Sequence, residues 1–228
     1  MPIRRELDQD FFKKWSPQMA YVLGFFAADD SMLKNRRGSH YIEFTVTDKS
    51  VLEQIREAIG STNRIAERKR ISKQKAVYRL QIGSKEWFKD LSCLGFMQNK
   101  SKRLALPVIP AKYFGDFVRG YFDGDGCVYF NRLKYADRKN PRWILMTLFT
   151  SGCQLFLNSL WTELKIRGIH GGSLKRKTRG FELCFSHKDS VALYRVMYHT
   201  GKAPELWLPR KRRKIEEAIR QLNLAVVV

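Results

Sequence analysis

A ten-residue pattern occurs twice in this chain, and its two copies lie 96 residues apart. Residues 117–126 read FVRGYFDGDG and residues 21–30 read YVLGFFAADD. Aligning Gly24 with Gly120 also aligns two aromatic residues, a second small residue and an aspartate. Such a register is hard to obtain by chance, so the repeat predicts a chain built from two related halves.

Each copy is predicted to form an apolar helix with two small residues four positions apart. These are Gly24 and Ala28 in the first copy and Gly120 and Gly124 in the second. Residues with this spacing lie on one face of a helix, and small side chains there allow two backbones to approach closely. We therefore expect these four residues to form the interface between two neighbouring helices.

An aspartate follows the second small residue in both copies, at Asp29 and Asp125. Packing the helices side by side would place both carboxylates at helix C-termini, where each opposes the helix dipole and repels the other. Such a pair needs a cation. Hard divalent ions such as Mg²⁺ take oxygen ligands and share them with phosphate oxygens, so the pair indicates metal-assisted phosphodiester chemistry.

The two segments resemble the paired signature helices of the LAGLIDADG homing endonucleases, in the form in which one chain carries both repeats. Residues 118–126 fit the signature well. Residues 22–30 fit it less well, because Asp30 stands where the signature has glycine and Ala27 where it often has an acid. The resemblance extends over nearly the whole chain.

The resemblance, together with the order of helix and strand signals, predicts an α+β fold of two pseudo-symmetric αββαββα repeats. Each repeat is expected to contain a four-stranded antiparallel, saddle-shaped sheet, and the repeats are expected to join at the paired LAGLIDADG helices. Residues 1–104 are assigned to the first repeat with an N-terminal extension, and residues 111–228 to the second, which ends in a basic helix. Residues 105–110 contain two prolines and are expected to form the linker.

The chain carries 43 basic and 22 acidic residues, a formal net charge of +21. Such an excess repels itself in the folded state and is typical of proteins that bind a polyanion. Charge alone leaves RNA, anionic lipid and DNA open. No apolar run approaches the roughly 20 residues that span a bilayer, no long basic amphipathic helix favours a membrane surface, and the N-terminus lacks the apolar core of a secretion signal. We therefore expect an intracellular protein.

Metal sites built from cysteine or histidine are not indicated. Cys93, Cys127, Cys153 and Cys184 lie in apolar surroundings without Cys-x-x-Cys spacing, and the four histidines are equally dispersed. We expect four buried free thiols, no zinc site and no histidine-centred nucleophile.

The most basic internal segments fall in the four expected hairpin turns. β-Ribbons fit the major groove of DNA, where alternate side chains reach base edges, while Arg and Lys at the tips neutralise phosphates. The candidate DNA-binding residues of the first half are Lys34, Arg36, Arg37, His40, Arg68, Arg70, Lys73 and Lys75. Those of the second half are Arg132, Lys134, Arg138, Arg142, Lys175, Arg176, Lys177 and Arg179.

The resemblance implies a catalytic centre in which Asp29 and Asp125 bind divalent metal, either Mg²⁺ or Mn²⁺, with Ca²⁺ supporting DNA binding without cleavage. It also implies a catalytic basic residue near each scissile phosphate. Lys100 matches that position in the first half and Lys211 in the second. Asp123 is expected to pack near the helix end rather than to bind metal.

Further expectations concern the residues around the two acids. The resemblance implies a polar strand residue at each site, which Thr45 supplies and Leu148 does not. The backbones of Ala28 and Gly124 are expected beside the metals, and Asp30 adds a third carboxylate. Aspartate tolerates the left-handed conformation that glycine takes after a helix at a cost of about 1 kcal/mol. We therefore predict that DNA binding survives this change and that cleavage is the step impaired.

The leading prediction is a monomeric, site-specific homing endonuclease that makes a staggered double-strand break in a long asymmetric DNA target and needs no protein partner. The resemblance implies cleavage across the minor groove. The alternative is a non-cutting nucleic-acid binder of the same fold, either an RNA maturase in intron splicing or a DNA-binding regulator. Paired Asp29 and Asp125 favour the nuclease, whereas Asp30 and Leu148 favour the binder.

Overall fold

The computed structural model describes residues 5–29, 31–68, 75–98, 103–134, 136–137, 139–198 and 206–224, and of Asp29 it describes the backbone alone. The first half contains α1 (Pro17–Asp29), β1 (Ser31–Lys34), β2 (His40–Val46), α2 (Lys49–Ala58), β3 (Ile65–Arg68), β4 (Val77–Gly83) and α3 (Lys85–Cys93). After one turn of 3-10 helix, the second half contains α4 (Phe114–Asp125), β5 (Gly126–Leu133), β6 (Arg142–Ser151), α5 (Gln154–Ile166), β7 (Ser173–Lys177), β8 (Gly180–Ser186), α6 (His187–Tyr198) and α7 (Pro209–Gln221). The predicted order αββαββα occurs in both halves, and the α+β class is confirmed.

Each half forms one antiparallel sheet of four strands, as predicted. The strand order is β1-β2-β4-β3 in the first sheet and β5-β6-β8-β7 in the second, so the two sheets share one topology. Helices pack against one face of each sheet, and we call the opposite face the open face. On β2, Ile42 and Phe44 are buried, whereas Glu43 and Thr45 alternate with them on the open face.

Helices α1 and α4 lie at the centre of the molecule. The chain enters α1 at Pro17, and the hydroxyl of Ser16 caps this end by accepting a hydrogen bond from the N–H of Met19 at 3.0 Å. Every residue of α1 from 19 to 27 is buried, as is every residue of α4 from 114 to 123. α1 is apolar on nearly every side, as a helix buried all round must be, whereas α4 also buries Asp116, Arg119 and Asp123. Within the described ranges, no helix is long and apolar enough to cross a membrane.

Equivalent aromatic contacts tie each of these helices to its own sheet. The rings of Phe26 and Phe44 meet edge to face at a centroid distance of 5.8 Å in the first half. Those of Phe122 and Phe149 do the same at 5.5 Å in the second. Phe26 and Phe122 are 96 residues apart, like the motif copies, so the two halves repeat in packing as well as in order.

All four cysteines are free, but only Cys153 and Cys184 are buried. The prediction of burial is wrong for Cys93 and Cys127, which are exposed. Cys93 is the last residue of α3, and Cys127 lies on the open face of β5. Apolar neighbours in the sequence gave the wrong indication, because alternation along β5 buries Val128 and turns Cys127 outward.

Candidate catalytic and DNA-binding site

Helices α1 and α4 touch through their glycines. A Cβ on Gly24 would collide with the carbonyl oxygen of Phe117, and a Cβ on Gly120 would collide with that of Tyr21. The same shift of 96 residues that relates the motif copies relates these two contacts, so the helices meet across a pseudo-two-fold axis. Glycine is needed at both positions because any side chain would push the two backbones apart.

The contact continues to the C-terminal ends of both helices. A Cβ on Gly124 would lie only 2.5 Å from the Cβ of Ala28. These two residues immediately precede Asp125 and Asp29, the last residues of α4 and α1. The two helices run in the same direction, so the structure brings the backbones of both aspartates to neighbouring helix ends. The side chain of Asp125 is partly exposed.

Lys211, the candidate basic residue of the second half, lies beneath the end of α4 and is 5% exposed. Its Nζ donates hydrogen bonds to the carbonyl oxygens of Phe122 at 2.5 Å and Asp123 at 2.9 Å. A cation here satisfies carbonyl groups that a helix end leaves unpaired and complements the helix dipole. Burial lowers the pKa of Lys211 to about 8, a shift opposed by the carboxylates of Asp123 and Asp125.

Asp123 packs inside the protein and is 1% exposed. Its Oδ2 accepts hydrogen bonds from the hydroxyl of Tyr21 and the backbone N–H of Leu208, both at 2.8 Å. Burial raises the pKa of Asp123 to about 6, and the nearby charge of Lys211 opposes that shift. The side chain therefore joins α1 and α4 to the segment that precedes α7, in line with the expectation that it packs rather than binds metal.

A buried arginine on α4 extends this polar network. Arg119 donates from Nη2 to a carboxylate oxygen of Asp116 at 2.6 Å. It also donates to the carbonyl oxygens of Met197 at 2.6 Å and Leu206 at 2.9 Å. Buried charges are tolerated only when they are paired in this way. Arg119 thus ties α4 to the end of α6 and to the chain that leads into α7.

The first half has no counterpart of this network at the equivalent positions. Shifting Asp116, Arg119 and Asp123 by 96 residues gives three apolar, buried residues on α1, which are Ala20, Leu23 and Ala27. The same shift replaces Tyr21 by Phe117, which lacks the hydroxyl donor. The two signature helices are therefore supported differently, by apolar packing in the first half and by buried polar groups in the second.

Sequence reasoning missed a polar group on the open face of the first sheet. Oε1 of Glu43 accepts hydrogen bonds from Arg79 at 3.2 Å and from Gln81 at 2.5 Å. Arg79 pairs with Thr45 across β2 and β4, so the polar strand residue expected at the site lies beside this group. The signal was present in the alternation of β2 and β4, which places every second residue on one face.

The candidate DNA-binding residues that the structure describes lie at the surface. His40 is partly buried, and its ring meets that of Phe88 edge to face at 4.6 Å. Lys177 forms an ion pair with Glu182 at 3.3 Å. The exposed candidates are Lys34, Arg36, Arg37, Arg68, Lys75, Arg132, Lys134, Arg142, Lys175, Arg176, Lys177 and Arg179. The candidates outside the described residues are Asp30, Arg70, Lys73, Lys100 and Arg138.

The first motif copy lies in a segment that matches a known protein family. Residues 16–92 match the model of the LAGLIDADG-like domain. Over 124 residues the chain is 28% identical to the uncharacterized protein MJ0398 of Methanocaldococcus jannaschii, a match that covers 52% of this chain and 42% of that protein. The chain therefore aligns with less than half the length of this relative.

Three solved structures share the fold at low sequence identity. The homing endonuclease I-WcaI, bound to its DNA recognition sequence, is 18% identical with a TM-score of 0.58, and 91% of each chain is covered. The LAGLIDADG meganuclease I-AabMI, bound to uncleaved DNA, is 14% identical with a TM-score of 0.60 over 92% of this chain and 91% of that one. The LAGLIDADG homing endonuclease I-SmaMI, bound to cleaved DNA, is 14% identical with a TM-score of 0.59 over 94% and 92%. The resemblance is confirmed: residues 16–92 match the LAGLIDADG-like domain, and the chain has the same two-repeat fold as these LAGLIDADG homing endonucleases.

Proposed function

We propose that this protein is a site-specific DNA endonuclease that cuts both strands of a long asymmetric duplex by metal-dependent phosphodiester hydrolysis. The observation that carries the proposal is the glycine contact of α1 and α4, with an aspartate as the last residue of each helix. Acids at two neighbouring helix C-termini oppose both dipoles, so a purely structural contact has no reason to hold them there. The DNA in the three solved structures supports the same partner for this chain.

The donor chemistry at the helix ends fits Mg²⁺ or Mn²⁺. Asp29 and Asp125 would supply carboxylate oxygens, and the backbones of Ala28 and Gly124 lie beside them. In the part of the chain that the structure describes, no group of three or more His, Cys, Asp or Glu side chains could hold a metal by itself. Mg²⁺ usually keeps several waters and shares phosphate oxygens, so these would complete the coordination shell. A bound ion would polarise the scissile phosphate and lower the pKa of a bound water.

The chain's own residues would hold the DNA and stabilise charge at the site. Exposed Arg and Lys side chains in the hairpin turns would neutralise phosphates, while the open faces of the two sheets would reach base edges in the major groove. Lys211 would place positive charge beside Asp125 as charge develops on the phosphate, and Lys100 is proposed for the same role in the first half. Both halves of the site belong to one chain, so we propose that a monomer is sufficient.

Asp30 favours a second candidate function, a non-cutting binder that acts as an RNA maturase or a DNA-binding regulator, because a third carboxylate beside the metals would disturb their binding. Leu148 does not add to this case, since the strand registers match Leu148 with Glu43 and match Thr45 with Thr150, which is also polar. If the protein is an endonuclease slowed by Asp30, the Asp30→Gly variant will cut a bound duplex faster than the wild type. An unchanged rate in a timed cleavage assay would remove this explanation for slow cutting.

Selection from a randomised duplex library tests the proposal directly. The protein is incubated with the library in Ca²⁺ and separately in Mg²⁺, with structured RNA as a competitor. We expect one long site to be retained in Ca²⁺ and cut on both strands, with staggered ends, in Mg²⁺. Enrichment of structured RNA would overturn the endonuclease in favour of the maturase, and a duplex that is bound but never cut would favour the regulator.

A further inference from the structure

The open face of the second sheet is apolar at its centre. Residues of β6 from Leu145 to Phe149 alternate between buried positions beneath the helices and the open face. Ile144, Met146 and Leu148 occupy the open face, where they are partly exposed. In the part of the chain that the structure describes, these three side chains do not pack against the hydrophobic core.

Side chains of the neighbouring strands extend this apolar surface beside Leu148 and Met146. Leu148 lies between the exposed Cys127 on β5 and the buried Cys184 on β8, and Met146 lies opposite Tyr129 on β5. Polar residues bound the surface, because Ser186 on β8 pairs with Met146 and Asn131 on β5 pairs with Ile144. The apolar patch is defined as Cys127, Tyr129, Ile144, Met146 and Leu148. Because β5 begins directly after the last residue of α4, the row that contains Leu148 is the part of the patch nearest the paired helix ends.

The row of the first sheet that is equivalent to the row of Leu148 is polar. Ser31, 96 residues before Cys127, pairs with Glu43 as Cys127 pairs with Leu148, and Glu43 pairs in turn with Gln81. Glu43 accepts hydrogen bonds from both of its neighbours on β4, Arg79 and Gln81. The two halves of the molecule therefore present different chemistry to a ligand that lies along both open faces.

Basic side chains border the apolar patch. Arg142 precedes Ile144 by two positions on β6 and shares its face, and it is exposed. Lys175 on β7 lies directly opposite Glu182 on β8, on the same face of the sheet as Cys184. Lys175 is also exposed. An apolar surface with cationic margins complements the major groove, where phosphates flank the base edges.

Among the groups that B-DNA shows in the major groove, the 5-methyl group of thymine is the largest apolar one. Leucine and isoleucine side chains have no hydrogen-bonding group, and the methionine sulfur is only a weak acceptor. Against the polar edge of guanine or cytosine, these side chains would remove water and give no hydrogen bond in return. Contact between these side chains and a thymine methyl group carries no such penalty.

We propose that the apolar patch reads thymine methyl groups, so that the half of the DNA target bound by the second repeat is rich in A·T pairs near its cleaved centre. This rests on the proposed function, because it assumes that duplex DNA lies along the open faces. It also gives a role to Leu148, which occupies the position of Glu43 in the first sheet and would contact bases through apolar groups.

Replacing thymine by deoxyuridine tests the inference with the wild-type protein, because this change removes the methyl group and keeps every hydrogen-bonding group. A duplex selected in Ca²⁺ is resynthesised with deoxyuridine in one half at a time, and the dissociation constant is measured. We expect binding to weaken by about threefold for each methyl lost in the half bound by the second repeat. In the other half the change is expected to stay within about twofold.

Variants of the protein show which half of the DNA site each repeat binds. Met146→Gln is expected to relax the preference for thymine in one half of the selected site only. The matched control is Leu155→Gln, which replaces a 74% exposed leucine on α5, away from the open face. That control is expected to select the wild-type site.

The possible failures are distinguishable. A selected duplex whose affinity is indifferent to deoxyuridine in both halves would overturn the thymine reading and leave the endonuclease intact. Failure to retain any duplex would overturn the endonuclease and this inference together.

Discussion

Single residues set how closely the two halves of the molecule approach. Gly24 and Gly120 each meet a backbone carbonyl of the opposite helix, so neither position has room for a methyl group. Asp123 then links both helices to the chain before α7 through one carboxylate oxygen. Changes at these residues are expected to act on stability before they act on function.

Gly120→Ala is expected to destabilise the protein by about 3 kcal/mol, because its Cβ would overlap the backbone at Tyr21 and force α1 and α4 apart. Urea unfolding followed by circular dichroism measures the change. Gly83→Ala is the control, since a Cβ there would lie 3.6 Å from the ring of Tyr41, an ordinary contact. Equal effects of the two substitutions would show that the helices are not closely packed.

Asp123→Asn is expected to flatten the dependence of stability on pH. The pKa of Asp123 is raised from 3.8 to about 6 in the folded protein, so between these values the folded state holds a proton that the unfolded chain has released. Stability from this group is therefore present at low pH and is lost as pH rises toward 6. Asparagine does not titrate but keeps an oxygen acceptor for Tyr21 and Leu208.

The measurement is the free energy of unfolding of the metal-free proteins at about pH 4.5 and about pH 6.5. The variant is expected to gain about 2 kcal/mol relative to the wild type between the two conditions. A constant difference between wild type and variant would mean that Asp123 titrates alike in the folded and unfolded states.

At the scale of elements, α7 is fastened to the end of α4 by a buried lysine. Lys211 bonds to two carbonyl oxygens in the last turn of α4, and the N–H of Leu208 bonds to Asp123 in the same turn. The C-terminal helix therefore forms part of the support for the aspartate that ends α4.

Lys211→Met is expected to cost about 2–4 kcal/mol, because it leaves buried carbonyl groups without a donor and removes the cation beside Asp123. Arg213→Met is the control, since Arg213 is an exposed cation on the same helix. Its effect is expected to stay within about 0.5 kcal/mol. Thermal unfolding compares the two variants, and equal melting temperatures would contradict the role of Lys211 as a fastening.

The elements themselves were predictable from the sequence because their signals are local. The motif copies gave the two buried helices, and alternation gave the strands, including the open face on which Glu43 and Arg79 meet. The buried network was not predictable, because it joins positions that are far apart in the chain. Asp123 lies 102 residues from Tyr21 and 85 from Leu208, and no periodicity relates them.

In the molecule as a whole, two unlike halves share a large excess of basic residues. The net charge of +21 attracts DNA phosphates whatever the base sequence, whereas the open faces of the two repeats differ in chemistry. Charge is therefore expected to supply most of the affinity for DNA, and the open faces most of the discrimination between sequences.

Binding to a selected duplex is expected to weaken by about 10³-fold or more between about 50 mM and 200 mM salt, the loss typical of six or more phosphate contacts. Fluorescence anisotropy at a series of salt concentrations measures it. An affinity that hardly changes with salt would show that the exposed Arg and Lys residues of the hairpin turns do not contact phosphates.

Comparing Asp125→Asn with the wild type on the selected duplex tests most directly whether the paired aspartates hold the catalytic metal. The variant is expected to bind the duplex in Ca²⁺ within about threefold of the wild type and to lose double-strand cleavage in Mg²⁺ by at least about 100-fold, because a metal ligand is gone and the fold is kept. Cleavage at the wild-type rate by Asp125→Asn would show that Asp125 is not needed to hold the metal.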